Sequence, residues 1–169
     1  MPLGAKSCKD AIRIGAEIFH NLKKVLKERG LKSVIVTNGY ATPSYFESLL
    51  PLIDAMNIDL KSIKNEFYKD IGGDVETVKQ NIKAASSRCH VEITCLLIEG
   101  KNDSEDEMQE MTDFIASVSP DIPFHISRCF PRYKFAEPAG QKEPTDVNRM
   151  ERFKEIADKK LKHVYLGNI

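Results

Sequence analysis

The 169-residue chain carries no net charge, since 25 lysines and arginines balance 25 aspartates and glutamates. No face is committed in bulk to a polyanion, which argues against nucleic acid as an obligatory partner. The chain also has no run near the roughly 18 uninterrupted apolar residues that cross a bilayer, and Met1-Pro2-Leu3-Gly4-Ala5-Lys6 has no apolar signal core. The expectation is a soluble, cytoplasmic protein with no membrane partner. Cysteine is scarce and scattered. Cys8, Cys89, Cys95 and Cys129 form no Cys-x-x-Cys pair, so a local zinc site and a disulfide scaffold are both disfavoured, and free, mostly buried thiols are expected. Repeats and low-complexity tracts are absent. The one glycine pair ahead of a helix, Gly72-Gly73 before Asp74, reads as ordinary helix entry rather than as a phosphate loop.

What is present is an alternation of short strands and amphipathic helices. Ala11, Ile14, Ile18, Leu22 and Val25 fall at three-and-four spacing between Asp10 and Arg29, and Gly30 stands where a C-terminal cap belongs. Residues 32–36 read as a strand that Thr37-Asn38-Gly39 ends. Thr42-Pro43 opens a short helix that Pro51 closes, and the next strand is Ala55 to Leu60. Asp74 caps a helix carrying Val75, Val78, Ile82 and Ala85; Val91 to Leu97 is rich in strand formers. Ser104 and Glu107 have capping-box spacing ahead of Met108, Met111, Ile115 and Val118. Pro123 to Ile126 is a strand, Ser127 to Pro144 a long loop, Thr145 the opening of a last helix, and His163 to Leu166 a final strand. Strict alternation implies parallel pairing through right-handed crossovers, so the fold class is α/β in a single domain, with residues 1–10 unplaced and residues 11–169 forming the strand-helix repeats.

Several strands alternate polar with apolar residues, although a parallel sheet buried on both faces should be almost continuously apolar. Asn57, Asp59 and Lys61 share one face, with Met56, Ile58 and Leu60 on the other; Glu92 goes with Thr94, and His125 with Ser127. A buried charge is costly unless paired. The row Asp59, Lys61, Glu92 and His125 therefore points to a barrel interior that holds a polar ligand, at the strand C-termini where such barrels place their chemistry. The competing reading is a structural Asp59–Lys61 ion pair and a satisfied core histidine.

Five segments in order carry a resemblance: Val36-Thr37-Asn38-Gly39-Tyr40; Asp54 to Ser62; Leu96 to Asp103; Phe124-His125-Ile126-Ser127-Arg128; and Tyr165-Leu166-Gly167-Asn168. From about Gly30 to the end the chain resembles the AmmeMemoRadiSam-system radical S-adenosylmethionine (SAM) enzymes, similar to pyruvate formate-lyase activating enzymes. The resemblance implies part of a partial barrel of the TIM type, six-stranded in the family, with the N-terminal strands missing. It implies S-adenosylmethionine and a [4Fe-4S] cluster as cofactors, the cluster held in the family by a Cys-x-x-x-Cys-x-x-Cys loop that this sequence does not contain. No metal ligand is therefore assigned, and catalytic residues stay unassigned. Val36 also departs from the family, where an acidic residue often precedes Thr-Asn-Gly.

The resemblance assigns the cofactor-binding set residue by residue. Thr37, Asn38 and Gly39 stand on the ribose side. Lys61, beside Asp59, looks like the lysine that meets the methionine carboxylate, a role suited to a compact ammonium. His125 is placed near the ribose, and Thr94 through Leu97 line the adenine pocket, Thr94 and Leu97 at its ends. Main chain from Leu97 to Asp103 adds contacts, with Gly100 allowing close approach.

Two functions compete. One is a fragment of an activating-enzyme-like oxidoreductase that cleaves S-adenosylmethionine reductively to a 5′-deoxyadenosyl radical, inactive alone without its cysteine motif. The other is a catalytically incomplete half-barrel serving as a binding module or complementing fragment. The substrate is unassigned; related activating enzymes act on a glycine of a partner protein. The first strand's bare edge predicts a complementing N-terminal segment or self-association.

Overall fold

The computed structural model describes residues 8–131 and 143–169, and the elements expected from the sequence follow in order, with one further short helix, α3. They are α1 (Cys8–Glu28), β1 (Val34–Thr37), α2 (Pro43–Leu49), β2 (Ala55–Asp59), α3 (Asn65–Asp70), α4 (Val75–Ser86), β3 (His90–Leu97), α5 (Glu105–Val118), β4 (Phe124–Arg128), α6 (Val147–Asp158) and β5 (Val164–Gly167). The strands form one five-stranded sheet in the order β1-β2-β3-β4-β5, with every pair parallel. That is the expected α/β fold of parallel strand-helix repeats.

Local chemistry explains the element ends. α1 stops at Gly30, whose φ of 66° lets Leu31 N return to Leu26 O at 2.9 Å. Asp74 accepts from Thr77 N at 2.8 Å and starts α4. Four expectations need correction. Pro51 lies inside a 3-10 turn, Leu50–Leu52, rather than ending α2 outright. Ser127 and Arg128 belong to β4, not to the loop after it; residues 132–142 of that loop lie outside the described residues. Asp146, not Thr145, caps α6, because Thr145 is buried and spent on tertiary hydrogen bonds. Only half of the capping box forms. Ser104 accepts from Glu107 N at 3.2 Å, but the Glu107 carboxylate turns inward to Ser62 Oγ and Ile63 N.

The core lies between the sheet and α2 to α6. Met56, Ile58, Val91, Ile93, Cys95, Phe124 and Ile126 point from the strands into it and meet Val78, Ile82, Met111, Ile115 and Phe153 from the helices. Such side chains each contribute about 1.5–3 kcal/mol on burial. α1 is attached differently. Its Phe19 packs against the core and Lys23 reaches Asp54 Oδ2 and Ser33 Oγ, each at 3.1 Å. The predicted apolar stripe Ile18, Leu22 and Val25 is exposed instead of packed.

Candidate functional site

Parallel register decides which side chains share a face. β1 pairs Val36 with Asn57, β2 pairs Asn57 with Glu92 and Asp59 with Thr94, β3 pairs Thr94 with His125, and β4 pairs His125 with Tyr165. Each of these residues is half-buried or exposed, while the alternate residues are buried or half-buried against the helices. One face of the sheet is therefore open. An all-parallel sheet normally has both faces covered, so the open face is the part of the fold that calls for a ligand or partner. Its centre is polar, and exposed Val34, Val36, Leu96 and Tyr165 surround it.

Towards the strand C-termini, Lys61 Nζ meets Asp59 Oδ2 at 3.0 Å, with the two side chains 37% and 36% exposed. Deeper along the same face, Thr94 Oγ1 donates to Asn57 Oδ1 at 2.9 Å. Glu92 joins two imidazoles: His125 Nε2 lies 2.7 Å from Oε2 and His90 Nε2 lies 3.1 Å from Oε1. Those hydrogen bonds, first from His90 and then from His125, hold the Glu92 carboxyl below its usual range against the opposing pull of partial burial. His125 stacks on Tyr165 with ring centroids 5.4 Å apart.

Beside Lys61 the β1 turn is built by its own side chains. Thr37 Oγ1 accepts from Gly39 N at 3.1 Å and Asn38 Oδ1 accepts from Tyr40 N at 3.0 Å. Gly39 has φ of 66°, and a Cβ there would lie 2.8 Å from Ile58 Cγ2. Only glycine fits this turn.

Of the residues singled out in the sequence, Asp59, Thr94 and His125 lie on the open face, and Lys61, Asn38 and Gly39 stand at the strand ends beside it. Two behave differently. Thr37 pairs with buried Ile58, so its side chain is on the helix side and reaches only the turn. Leu97 is fully buried in the core and can offer a ligand only main chain, whereas Leu96 is the exposed neighbour on the open face.

Sequence reasoning missed the buried polar side chains behind the strand ends. Asn81 Nδ2 donates to Gly39 O and Ala41 O at 2.8 and 2.9 Å. Thr145 Oγ1 donates to Leu97 O at 2.7 Å and accepts from Cys129 N. Asn102, Tyr68 and Glu107 hold the segment after β2. Asn81 left a readable signal: it falls on the apolar stripe Val78, Ile82 and Ala85, where an unpartnered amide would be costly.

The fold and this site define an α/β domain with an open, polar-centred sheet face that ends at the Asp59–Lys61 pair beyond β2. The radical SAM superfamily profile matches residues 10–115, and the chain belongs to that superfamily. It is 31% identical over 157 residues to an uncharacterized protein of Methanocaldococcus jannaschii, an alignment covering 90% of this chain and 45% of the relative. The chain thus spans about half the length of that curated relative. Among solved structures, it is similar to a domain of pyruvate-formate lyase-activating enzyme from Bacteroides vulgatus, with a TM-score of 0.74 and 19% identity over 93% of this chain and 94% of that one. It is also similar to SuiB of Streptococcus suis bound to S-adenosylmethionine, with a TM-score of 0.63 and 16% identity over 88% of this chain and 34% of that one.

The superfamily implies an iron-sulfur cluster, and the described thiols do not fit one. Cys95 is fully buried in the helix-sheet core, where burial pushes its thiol up to about 12. Cys129 is buried beyond β4, and Cys89, ahead of β3, donates its thiol to Ala85 O; burial raises both. Cluster ligands must be thiolates brought together. The side chain of Cys8 lies outside the described residues, and one further thiol would not supply a convergent set. Among the described residues, no three His, Cys, Asp or Glu side chains form a metal-holding group. No described helix is long and apolar enough to cross a membrane.

Proposed function

We propose that the chain is the S-adenosylmethionine-binding C-terminal portion of an activating-enzyme-like radical SAM oxidoreductase of the AmmeMemoRadiSam type. The observation that carries the reading is the open face of an all-parallel sheet, on which Thr94 and His125 lie in register with Asp59 at the end of β2, where Asp59 meets Lys61. The Lys61 ammonium receives the methionine carboxylate, sharing its donors with Asp59. Asn38 and Gly39 present turn groups to the ribose, with His125 on its other side. Thr94 and Leu96 line the adenine from the sheet. When cleaved reductively at a cluster whose ligands are not in this chain, S-adenosylmethionine supplies a 5′-deoxyadenosyl radical for hydrogen abstraction. A protein substrate is proposed by analogy with the activating enzymes.

The reading extends to partners. β1 has no strand on its outer side among the described residues, Val34 and Val36 are 64% and 76% exposed, and the α1 stripe is uncovered at the same end of the sheet. We propose that a complementing strand-helix segment covers this end, with self-association taking its place when the segment is absent.

Calorimetric titration of the chain with S-adenosylmethionine tests the cofactor reading. Saturable 1:1 binding is expected, weakened by Lys61→Met. No heat and no retention in equilibrium dialysis would leave the second reading, a half-barrel interaction module, in its place.

A further inference from the structure

Lys61 stands two residues beyond the end of β2, yet its main chain is held on both sides. Its N–H donates to Tyr68 Oη at 3.1 Å. Its carbonyl accepts from Asn102 Nδ2 at 2.6 Å. Tyr68 and Asn102 are 2% and 1% exposed and lie on the helix side, away from the open face. Asn102 has its remaining capacity committed as well, with Nδ2 on Leu96 O at 2.9 Å and Oδ1 on Ile98 N at 2.7 Å. It therefore ties the end of β3 to Lys61, two residues past β2. Burial pushes the Tyr68 phenol up to about 12, so it stays neutral through the working pH range. One residue further on, Glu107 fixes Ser62 and Ile63.

We propose that Tyr68 and Asn102 are positioning residues that set where the Lys61 ammonium stands; this rests on Lys61 receiving the carboxylate of S-adenosylmethionine. A lysine stem has four rotatable carbons and loses much rotamer freedom when its tip is fixed. Clamping the main chain on both sides removes backbone freedom before the ligand arrives, so ordering of the side chain is all that binding must still supply. The clamps touch neither the open face nor the ligand. Their effect on affinity must pass through Lys61.

That dependence gives the test. Asn102→Ala removes hydrogen bonds to Lys61 O, Leu96 O and Ile98 N at once and is the variant expected to fold poorly. Tyr68→Phe keeps the ring in the core and removes one acceptor. S-adenosylmethionine affinity is measured by equilibrium dialysis in the full chain for wild type, Tyr68→Phe, Lys61→Met and the double variant, with urea midpoints taken in parallel. Tyr68→Phe should weaken binding about 3- to 10-fold, the factor set by the net worth of one neutral hydrogen bond, and should have no further effect in the Lys61→Met background. Equal weakening in both backgrounds would mean that Tyr68 acts on the fold at large and would overturn the inference. So would unchanged affinity in Tyr68→Phe alongside a loss in Lys61→Met. If Lys61→Met binds as well as wild type, or wild type takes up none, the carboxylate reading itself falls and takes this inference with it.

Discussion

Asp59 Oδ2 and Lys61 Nζ, two residues apart on one side of β2, meet at 3.0 Å with about a third of each side chain exposed. Half-exposed pairs of this kind contribute little, about 0–1 kcal/mol. Lys61→Met should therefore change stability by less than about 1 kcal/mol, because Asp59 keeps access to water. S-adenosylmethionine affinity should fall much more, by about 1.5–3 kcal/mol for a lost hydrogen bond to a charged group. Urea denaturation and calorimetry on the same preparation separate the two. Equal affinity at equal stability would remove Lys61 from the site.

Gly39 and Gly30 share a φ of 66° but differ in surroundings, since a Cβ on Gly39 would meet Ile58 and Val78 while one on Gly30 meets nothing within 4 Å. Gly30→Ala should cost about 1–2 kcal/mol, the penalty of left-handed backbone alone. Gly39→Ala should cost about 2–4 kcal/mol, since overpacking adds to that penalty. Chemical denaturation midpoints check the order, which must not reverse.

Asp54 gives a pH dependence. Hydrogen bonds from Ser33 N, Lys23 and Ser33 Oγ hold its carboxyl well below the ordinary value of 3.8. Such a group binds fewer protons folded than unfolded, so its stabilisation is full above about pH 4 and is lost as the pH falls through the lowered folded value. Asp54→Asn should destabilise at neutral pH, and its gap to wild type should narrow below about pH 4. Urea midpoints across that range decide it; a gap that widens with acid would contradict the assignment.

Anaerobic reconstitution with iron and sulfide should leave the purified chain colourless. Cys95 and Cys129 are buried and their thiols are pushed up in pKa, so neither offers a ready thiolate. A brown protein with about four irons would show that the thiols do converge.

Size-exclusion chromatography with light scattering addresses the β1 end. The chain alone should self-associate, and Val36→Lys, which puts a charge on the bare edge strand, should shift it towards monomer. A monodisperse wild-type monomer would count against a missing strand there.

How much of this was legible in the sequence depended on the reach of each interaction. The Met56 to Lys61 alternation assigned faces correctly, because strand periodicity is local. The Asp74 cap could likewise be read from four residues. α3 went unread because six residues with only Phe67 and Tyr68 apolar do not fill one periodic window. Glu107 was misassigned because Ser62, its partner, lies 45 residues away in sequence. The same holds for Asn102 and Thr145, whose side chains reach 41 and 48 residues back to main-chain carbonyls. Local spacing names the donor but not its distant acceptor.

The strand order has a consequence for assembly. Among the described residues every strand pairs only with the strands before and after it in the chain, so each strand-helix unit docks on the one just formed, and ordering can propagate from one unit to the next as in a solenoid. A break between units severs a single ladder and leaves the others intact. An architecture of this kind can be divided between two polypeptides, or lengthened by one unit, without rewiring any connection already made.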